Sequence, residues 1–248
     1  LDVRKREIVA VCGAMGSGRT ALLSTLFGCG MGDRAGSVRV GGAEVDLDSP
    51  AEAIRSGVAL VPEDRKGRGL VLGMSVAENL ALPSLPSLGA FGFVDDAAEA
   101  ALARKRIGEL SIRGAASTEA GALSGGNQQK VVLGKWLEHP LKLLLLDEPT
   151  RGVDVGARDE IYALLEALAA KGAAILFASS DLAEVLRLAD RIVVLRSGGI
   201  VAQLDRDEAT QEKIVALSTG ATPPATLRSS SVPIATPTSS PTLDPCPQ

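Results

Sequence analysis

The chain has 248 residues, of which 46% are hydrophobic and only 2% aromatic, so it can bury a sizeable, mainly aliphatic core as one large α/β domain. A net charge of −4 and a pI near 5.2 supply no basic field for nucleic acid. No run of 18 apolar residues occurs, which argues against a membrane-spanning helix, and three cysteines (Cys12, Cys29, Cys246) form neither a metal-ligand spacing nor an even disulfide framework, as expected in a reducing cytoplasm.

The chain begins with Leu1 rather than Met, carries no signal peptide and reaches its first apolar run, Glu7 to Cys12, within a few residues. This pattern is expected of a trimmed or partial polypeptide with something missing upstream. Gly13-Ala14-Met15-Gly16-Ser17-Gly18-Arg19-Thr20 follows the run and precedes the helical segment Ala21 to Phe27. Strand, glycine-rich turn and helix in that order describe a phosphate-binding loop: the glycines let successive N–H groups face one concavity, and the helix start adds its positive dipole end. Arg19 stands where the strict pattern has lysine, while Thr20 keeps the hydroxyl that ligates Mg²⁺. Taken alone, the stretch is equally an ordinary glycine-rich turn.

Residues 28 to 36 form a glycine-rich connection, and Ser37 to Leu47 a hairpin turning at Gly41-Gly42. Ser49-Pro50 opens a short helix through Ile54, and Gly57 ends it before the strand Val58 to Val61. Pro62 to Leu70 is a polar loop after that strand, where α/β sheets place ligand-contacting residues, or else a solvated turn. Ser75 to Leu80 is a capped helix, Pro83 to Gly92 a loop and Asp95 to Leu110 a helix. No strand is expected between residues 75 and about 137, which predicts a helical subdomain inserted in the sheet domain.

Leu123-Ser124-Gly125-Gly126-Asn127-Gln128 opens a helix running to about Glu138, with free N–H groups at its start that suit an anion unless Ser124 is simply its cap. Leu143 to Leu146 is a buried parallel strand ending in Asp147-Glu148-Pro149. Two carboxylates at the carboxyl end of such a strand suit Mg²⁺ binding by one and orientation or deprotonation of water by the other. After the turn Thr150 to Asp154 come a helix over Val155–Ala170, a strand over Ala173–Ala178, Ser179-Ser180-Asp181, a helix over Leu182–Ala189, a hairpin of strands Arg191–Leu195 and Ile200–Leu204, and a final helix over Asp205–Ser218. The last 28 residues hold seven of the 13 prolines, ten serines and threonines and two charges, a composition expected to stay disordered.

With these motifs placed, residues 1 to about 220 resemble the nucleotide-binding domain of an ATP-binding-cassette (ABC) transporter. The resemblance implies a P-loop NTPase fold of ABC type, α/β, with a mainly parallel core sheet, an antiparallel β flap and a helical subdomain at 75–137. The segments at 62–70 (PEDRKGRGL), 123–130 (LSGGNQQK) and 147–158 (DEPTRGVDVGAR) resemble the carboxy-terminal cassette of double-cassette ATPases serving bacterial ribose, galactose and xylose importers. That subfamily has a GRT phosphate loop, so Arg19 fits the resemblance. It further implies that Gly13 to Thr20 cradles the phosphates of ATP, that Asp147, with Thr20, serves Mg²⁺, and that Glu148 is the base. Leu123 to Gln128 would reach the nucleotide of a second cassette, in the same polypeptide or a homodimer, and Asp154 would couple the two sites. The implied partners are membrane permease subunits, docking near 63–70 and 74–82, and indirectly a periplasmic sugar-binding protein, with the chain peripheral at the cytoplasmic face of the membrane.

Three positions depart from the general ABC pattern: Arg19 for lysine, Glu63 for the switch-loop glutamine, and Ser180 for the histidine that contacts the γ-phosphate. Glu63 is expected to hold Mg²⁺ yet repel the γ-phosphate, and Ser180 to bond phosphate without positive charge. Each lost charge contact costs on the order of 2 to 4 kcal/mol in a phosphoryl-transfer transition state, so hydrolysis is expected to suffer more than binding. His139, before Pro140, is expected at the surface or as a cap. No aromatic precedes Phe27 to stack on adenine. Two other functions stay open: a non-hydrolysing module that clamps a dimer, and a soluble ABC ATPase of repair or translation.

Overall fold

The computed structural model describes residues 1–30, 35–90 and 93–221. Part of the 28–36 connection, residues 91 and 92 of the expected loop, and the proline-rich tail from 222 onward, with Cys246, lie outside the described residues.

Hydrophobic runs too continuous to alternate make a central sheet whose parallel strands are buried on both faces, its antiparallel edge strand being mostly exposed. Its strands are β1 (Ile8–Gly13), β4 (Val58–Val61), β7 (Leu143–Asp147), β8 (Ala174–Ala178), β9 (Arg191–Arg196) and β10 (Gly199–Asp205). Their spatial order is β10-β9-β1-β8-β7-β4, parallel throughout except for the antiparallel edge strand β10. Val9, Val11, Leu145, Leu146, Ile175, Phe177, Ile192 and Val194 are completely enclosed, which makes this sheet the aliphatic core that the composition requires. The antiparallel flap is β2 (Val38–Val40) paired with β3 (Ala43–Val45), shorter than the expected hairpin.

Eight α-helices accompany these strands among the described residues: α1 (Arg19–Leu26), α2 (Pro50–Arg55), α3 (Val76–Ala81), α4 (Asp96–Glu109), α5 (Gly125–Gly134), α6 (Val155–Ala170), α7 (Leu182–Leu188) and α8 (Gln211–Thr219). The stretch between β4 and β7 is mostly helical, with one correction. Gly89–Ala90 (β5) pairs with Phe93–Val94 (β6), a close approach that glycine at position 89 permits. Leu82–Ser87 winds into a 3₁₀ turn rather than a loop. The polar loop after β4 also has internal order. Residues Arg65–Gly69 form a single π-helical turn, whose start is fixed by the Asp64 carboxylate accepting from the Gly67 N–H at 2.9 Å.

Two helix ends differ from expectation. α5 stops at Gly134, where a Cβ would lie 2.7 Å from Leu110 and 2.8 Å from Leu80, and continues as tightened turns in which Trp136 and Leu137 bond back three residues. The last helix starts not at Asp205, which belongs to β10, but at Gln211, where the Thr210 side chain accepts from the Lys213 N–H.

Candidate functional site

The carboxyl ends of β1, β4, β7 and β8 lie side by side, the edge at which open α/β sheets bind ligands. Register fixes them: Asp147 pairs with Ala178, the Glu148 N–H donates to the Ala178 carbonyl at 2.8 Å, and the Ser179 N–H donates to the Val11 carbonyl at 3.3 Å. The phosphate-loop candidate, Glu148 and Ser180 thus share one edge although they are up to 167 residues apart in sequence.

Gly13 to Thr20 folds as the glycine pattern predicts. Gly16 and Gly18 have φ of 76° and 99°, a region open to glycine, and at Gly13 a side chain would strike the Leu195 carbonyl. Gly18 begins α1 in a left-handed conformation with no side-chain cap, so the first amides of the helix have no intrahelical acceptor and no cap. The Ser17 hydroxyl is buried without a partner. α5 shares this property, since Ser124 makes no cap bond and its oxygen instead accepts from the Asn127 side chain at 2.9 Å. The alternative that Ser124 is merely an N-cap is therefore not what the geometry displays. Among the described residues the other six α-helices are all closed by a side chain, from Ser49, Ser75, Asp95, Asp154, Asp181 and Thr210. The two open helix starts are the two that the sequence marks for anions.

Thr20 hydrogen-bonds Asp147, which is buried. Burial pushes the Asp147 carboxyl above the usual range, and the charge of Glu148 adds to this, while the Thr20 bond and Arg19 oppose it. A hydroxyl beside a desolvated carboxylate is a hard-oxygen pair that fits Mg²⁺, with the remaining ligands left to phosphate oxygens and water. Among the described residues no group of three His, Cys, Asp or Glu converges on a metal-sized site.

Glu148 is the most constrained residue of the edge. It sits at φ 48°, uncommon for a side-chain-bearing residue. Arg19 donates to its Oε1 at 3.3 Å and Ser180 to its Oε2 at 3.0 Å, with the Arg19 and Glu148 side chains only 16% and 11% exposed. Arg19 also donates to the Gly13 carbonyl. Two of the three departures therefore meet on the candidate base, a contact that their sequence positions do not reveal. The third, Glu63, pairs with Arg151, so its charge does not stand alone. An open cleft of about 420 Å³, lined by Glu63, Asp64, Arg65, Lys66 and Arg151, lies along that loop and takes in none of residues 13–20.

Asp154 caps α6, accepting from the Ala157 N–H at 2.9 Å. Leu123 is partly buried against the core, and Gln128 is buried and donates to the Ala120 carbonyl at 3.1 Å. His139 is neither a cap nor part of this edge. It precedes the amino end of β7, half-buried against Trp136 with its Nε2 unpaired. The Cys12 thiol, enclosed in β1, is pushed by burial up to about 12 and stays inert at neutral pH.

Two further residues escaped the sequence reading. Glu184 is buried in the first turn of α7 and accepts from the Thr150 hydroxyl at 2.7 Å and the Ser179 hydroxyl at 2.5 Å, tying the turn after β7 to the end of β8. A glutamate three residues after the cap Asp181 looks like ordinary dipole complementation, so only its burial exposes the role. Arg65 donates to the Arg151 carbonyl at 2.6 Å, the Gly152 carbonyl at 3.0 Å and Gln128 Oε1 at 3.4 Å, and nothing in the local pattern signals those partners.

The fold, the two open helix starts and the carboxylate pair define an ATP-binding domain of the ABC type, and a family model described as "ABC transporter" matches residues 1–151. The chain belongs to that family. Among curated proteins it is 48% identical over 226 residues to the ribose import ATP-binding protein RbsA 2 of Rubrobacter xylanophilus, covering 91% of this chain and 43% of that protein. It is 49% identical over 218 residues to RbsA 1 of Streptomyces avermitilis, with 88% and 42% covered. The chain thus spans less than half the length of the curated relatives it matches. A solved ATP-binding cassette of an ABC transporter, in its ADP conformation, superposes with a TM-score of 0.71 at 25% identity, covering 89% of this chain and 90% of that one.

Proposed function

We propose that residues 1–220 are the ATP-binding domain of a carbohydrate importer, with 75–137 as its helical subdomain, coupling ATP binding and hydrolysis to transport through permease subunits. The relatives named as ribose import ATP-binding proteins support a pentose-type cargo and, indirectly, a periplasmic sugar-binding protein upstream of the permease. No described helix is long and apolar enough to cross a membrane, consistent with peripheral attachment at the cytoplasmic face. The observation that carries the reading is the pair of open helix starts, one in the phosphate loop and one at Ser124, against six closed ones.

In this reading the backbone amides from Gly16 to Thr20 orient the phosphates of ATP, and Thr20 and Asp147 would hold Mg²⁺. The chemistry that Mg²⁺ would supply there is neutralisation of charge on the phosphate oxygens. Glu63 is placed as a further, outer partner of that ion. Glu148 is the group that would orient or deprotonate water, but Arg19 and Ser180 already occupy its two oxygens. Nucleotide must draw Arg19 away before the carboxylate can act, so the chain's own loop is a slow site. Ser124, Gly125, Gly126 and Asn127 present the second open helix start to a partner cassette, whose site they complete, and Asp154 fixes the turn beside them.

A second reading, a dimer clamp without turnover, is favoured by the same engagement of Glu148. Titration with Mg·ATP and a phosphate-release assay on the purified chain separate the readings. The slow-site reading expects saturable binding with turnover that is below about 0.1 s⁻¹, against a median enzyme near 10 s⁻¹, and is lost in Glu148→Gln, whereas the clamp reading expects the same binding with no phosphate release above that of Glu148→Gln. Turnover of that median size, abolished by Glu148→Gln, overturns the slow-site assignment. Absence of binding overturns the nucleotide reading itself.

A further inference from the structure

Arg65 lies two residues beyond Glu63, in the π-helical turn, and its guanidinium is spent wholly on other elements. One terminal nitrogen donates to the Arg151 carbonyl at 2.6 Å, the other to the Gly152 carbonyl at 3.0 Å, and Nε to Gln128 Oε1 at 3.4 Å. The fork thus spans the turn after β7 and the first turns of α5. The approach is tight on both sides, since a Cβ on Gly125 would lie 2.8 Å from an Arg65 terminal nitrogen and 2.8 Å from the Gly152 carbonyl. A Cβ on Gly126 would lie 2.5 Å from that of Ala157 in α6. Gly125 and Gly126 therefore have a role within their own chain, letting α5 seat against Arg65, Gly152 and α6. Arg151 closes a ring, its backbone held by Arg65 while its side chain pairs with Glu63.

We propose that Arg65 is a positioning residue for the amino-terminal turn of α5: its fork locks that turn to Arg151 and Gly152, so that the loop carrying Glu63, the open helix start at Ser124 and the approach to Asp154 behave as one body. A change at Glu63 is then passed through Arg65 to the surface that faces a second cassette. This rests on the reading that Ser124 to Gly126 completes a partner's nucleotide site, but the locking itself concerns this chain alone. Lysine cannot take over, because a single ammonium does not span two carbonyls and an amide oxygen in fixed directions.

The test is hydrogen exchange on the full chain carrying Arg65→Ala or Arg65→Lys, with nucleotide affinity and nucleotide-dependent association measured on the same samples. The expected result in both variants is exchange about tenfold faster at the hydrogen-bonded amides of 128–131 and of Val153, with residues 13–20 unchanged. Affinity for Mg·ATP stays within about twofold, while association in Mg·ATP weakens about tenfold. Unchanged exchange at 128–131 and Val153 overturns the proposal. So does a general rise in exchange that includes 13–20 and weakens nucleotide affinity in proportion, the signature of a merely structural arginine. If the wild-type chain does not associate in Mg·ATP, the partner-site reading fails, and the exchange pattern still decides the locking.

Discussion

At the scale of single residues, the chemistry of the edge turns on who holds Glu148. Arg19 and Ser180 were legible as departures, because each breaks a motif at a countable position. That they converge on one carboxylate was not legible, because positions 19, 148 and 180 are brought together only by the parallel register of β1, β7 and β8. The convergence makes a single reversion ineffective. Arg19→Lys removes the fork that reaches both Gly13 and Glu148 but leaves Ser180 uncharged and Glu63 paired with Arg151. Phosphate release by Arg19→Lys is therefore expected within about threefold of wild type, and by Arg19→Lys, Glu63→Gln, Ser180→His at least tenfold above it, as two positions close enough to couple imply. Full recovery by Arg19→Lys alone contradicts this.

At the scale of elements, local signals performed best where the cap is in the sequence. Ser49 with Pro50, Ser75 with Glu78, and Gly57 all close their helices where the residue types require. Ends set by tertiary structure differ from expectation: after Gly134, packed closely against Leu80 and Leu110, α5 tightens into three-residue turns, and β10 absorbs Asp205 through pairing with β9. Glu184 belongs to this scale, since it couples two elements. Burial raises its pKa above the usual value, and neighbouring Asp181 and Glu148 add to the rise against the Ser179 and Thr150 bonds. With a folded pKa above the unfolded one, the folded chain binds more protons within that window, so this group's contribution to stability falls as pH rises through it. Glu184→Gln removes the buried charge yet can still bond both hydroxyls, and is expected to be at least as stable as wild type at pH 7 and to flatten that part of the pH profile. Glu184→Ala removes the acceptor that Thr150 and Ser179 share, leaving Ser179 only its contacts with Asp181 and Thr150 only that with Tyr162, and costs roughly 2 to 4 kcal/mol in urea unfolding. Equal losses from both variants rule out this assignment.

At the scale of the whole molecule, the strand and helix sequence was readable from apolar runs and turn residues, and so was the position of Asp147, Glu148 and Ser180 at strand ends. The strand order was not, because nothing local states that β1 lies between β8 and β9. The same limit hid Arg65, whose partners lie 63 to 87 residues away. What the assembled fold adds, among the described residues, is two open helix starts, and in the proposed reading a second copy or second cassette gives the one at Ser124 an object. Sedimentation velocity with and without Mg·ATP, on the wild-type chain and on Ser124→Arg, tests this most directly. Nucleotide is expected to convert wild type from monomer to dimer and to leave Ser124→Arg monomeric although it still binds Mg·ATP. A wild-type chain that stays monomeric when saturated with nucleotide, or a Ser124→Arg chain that dimerises as well, contradicts the account.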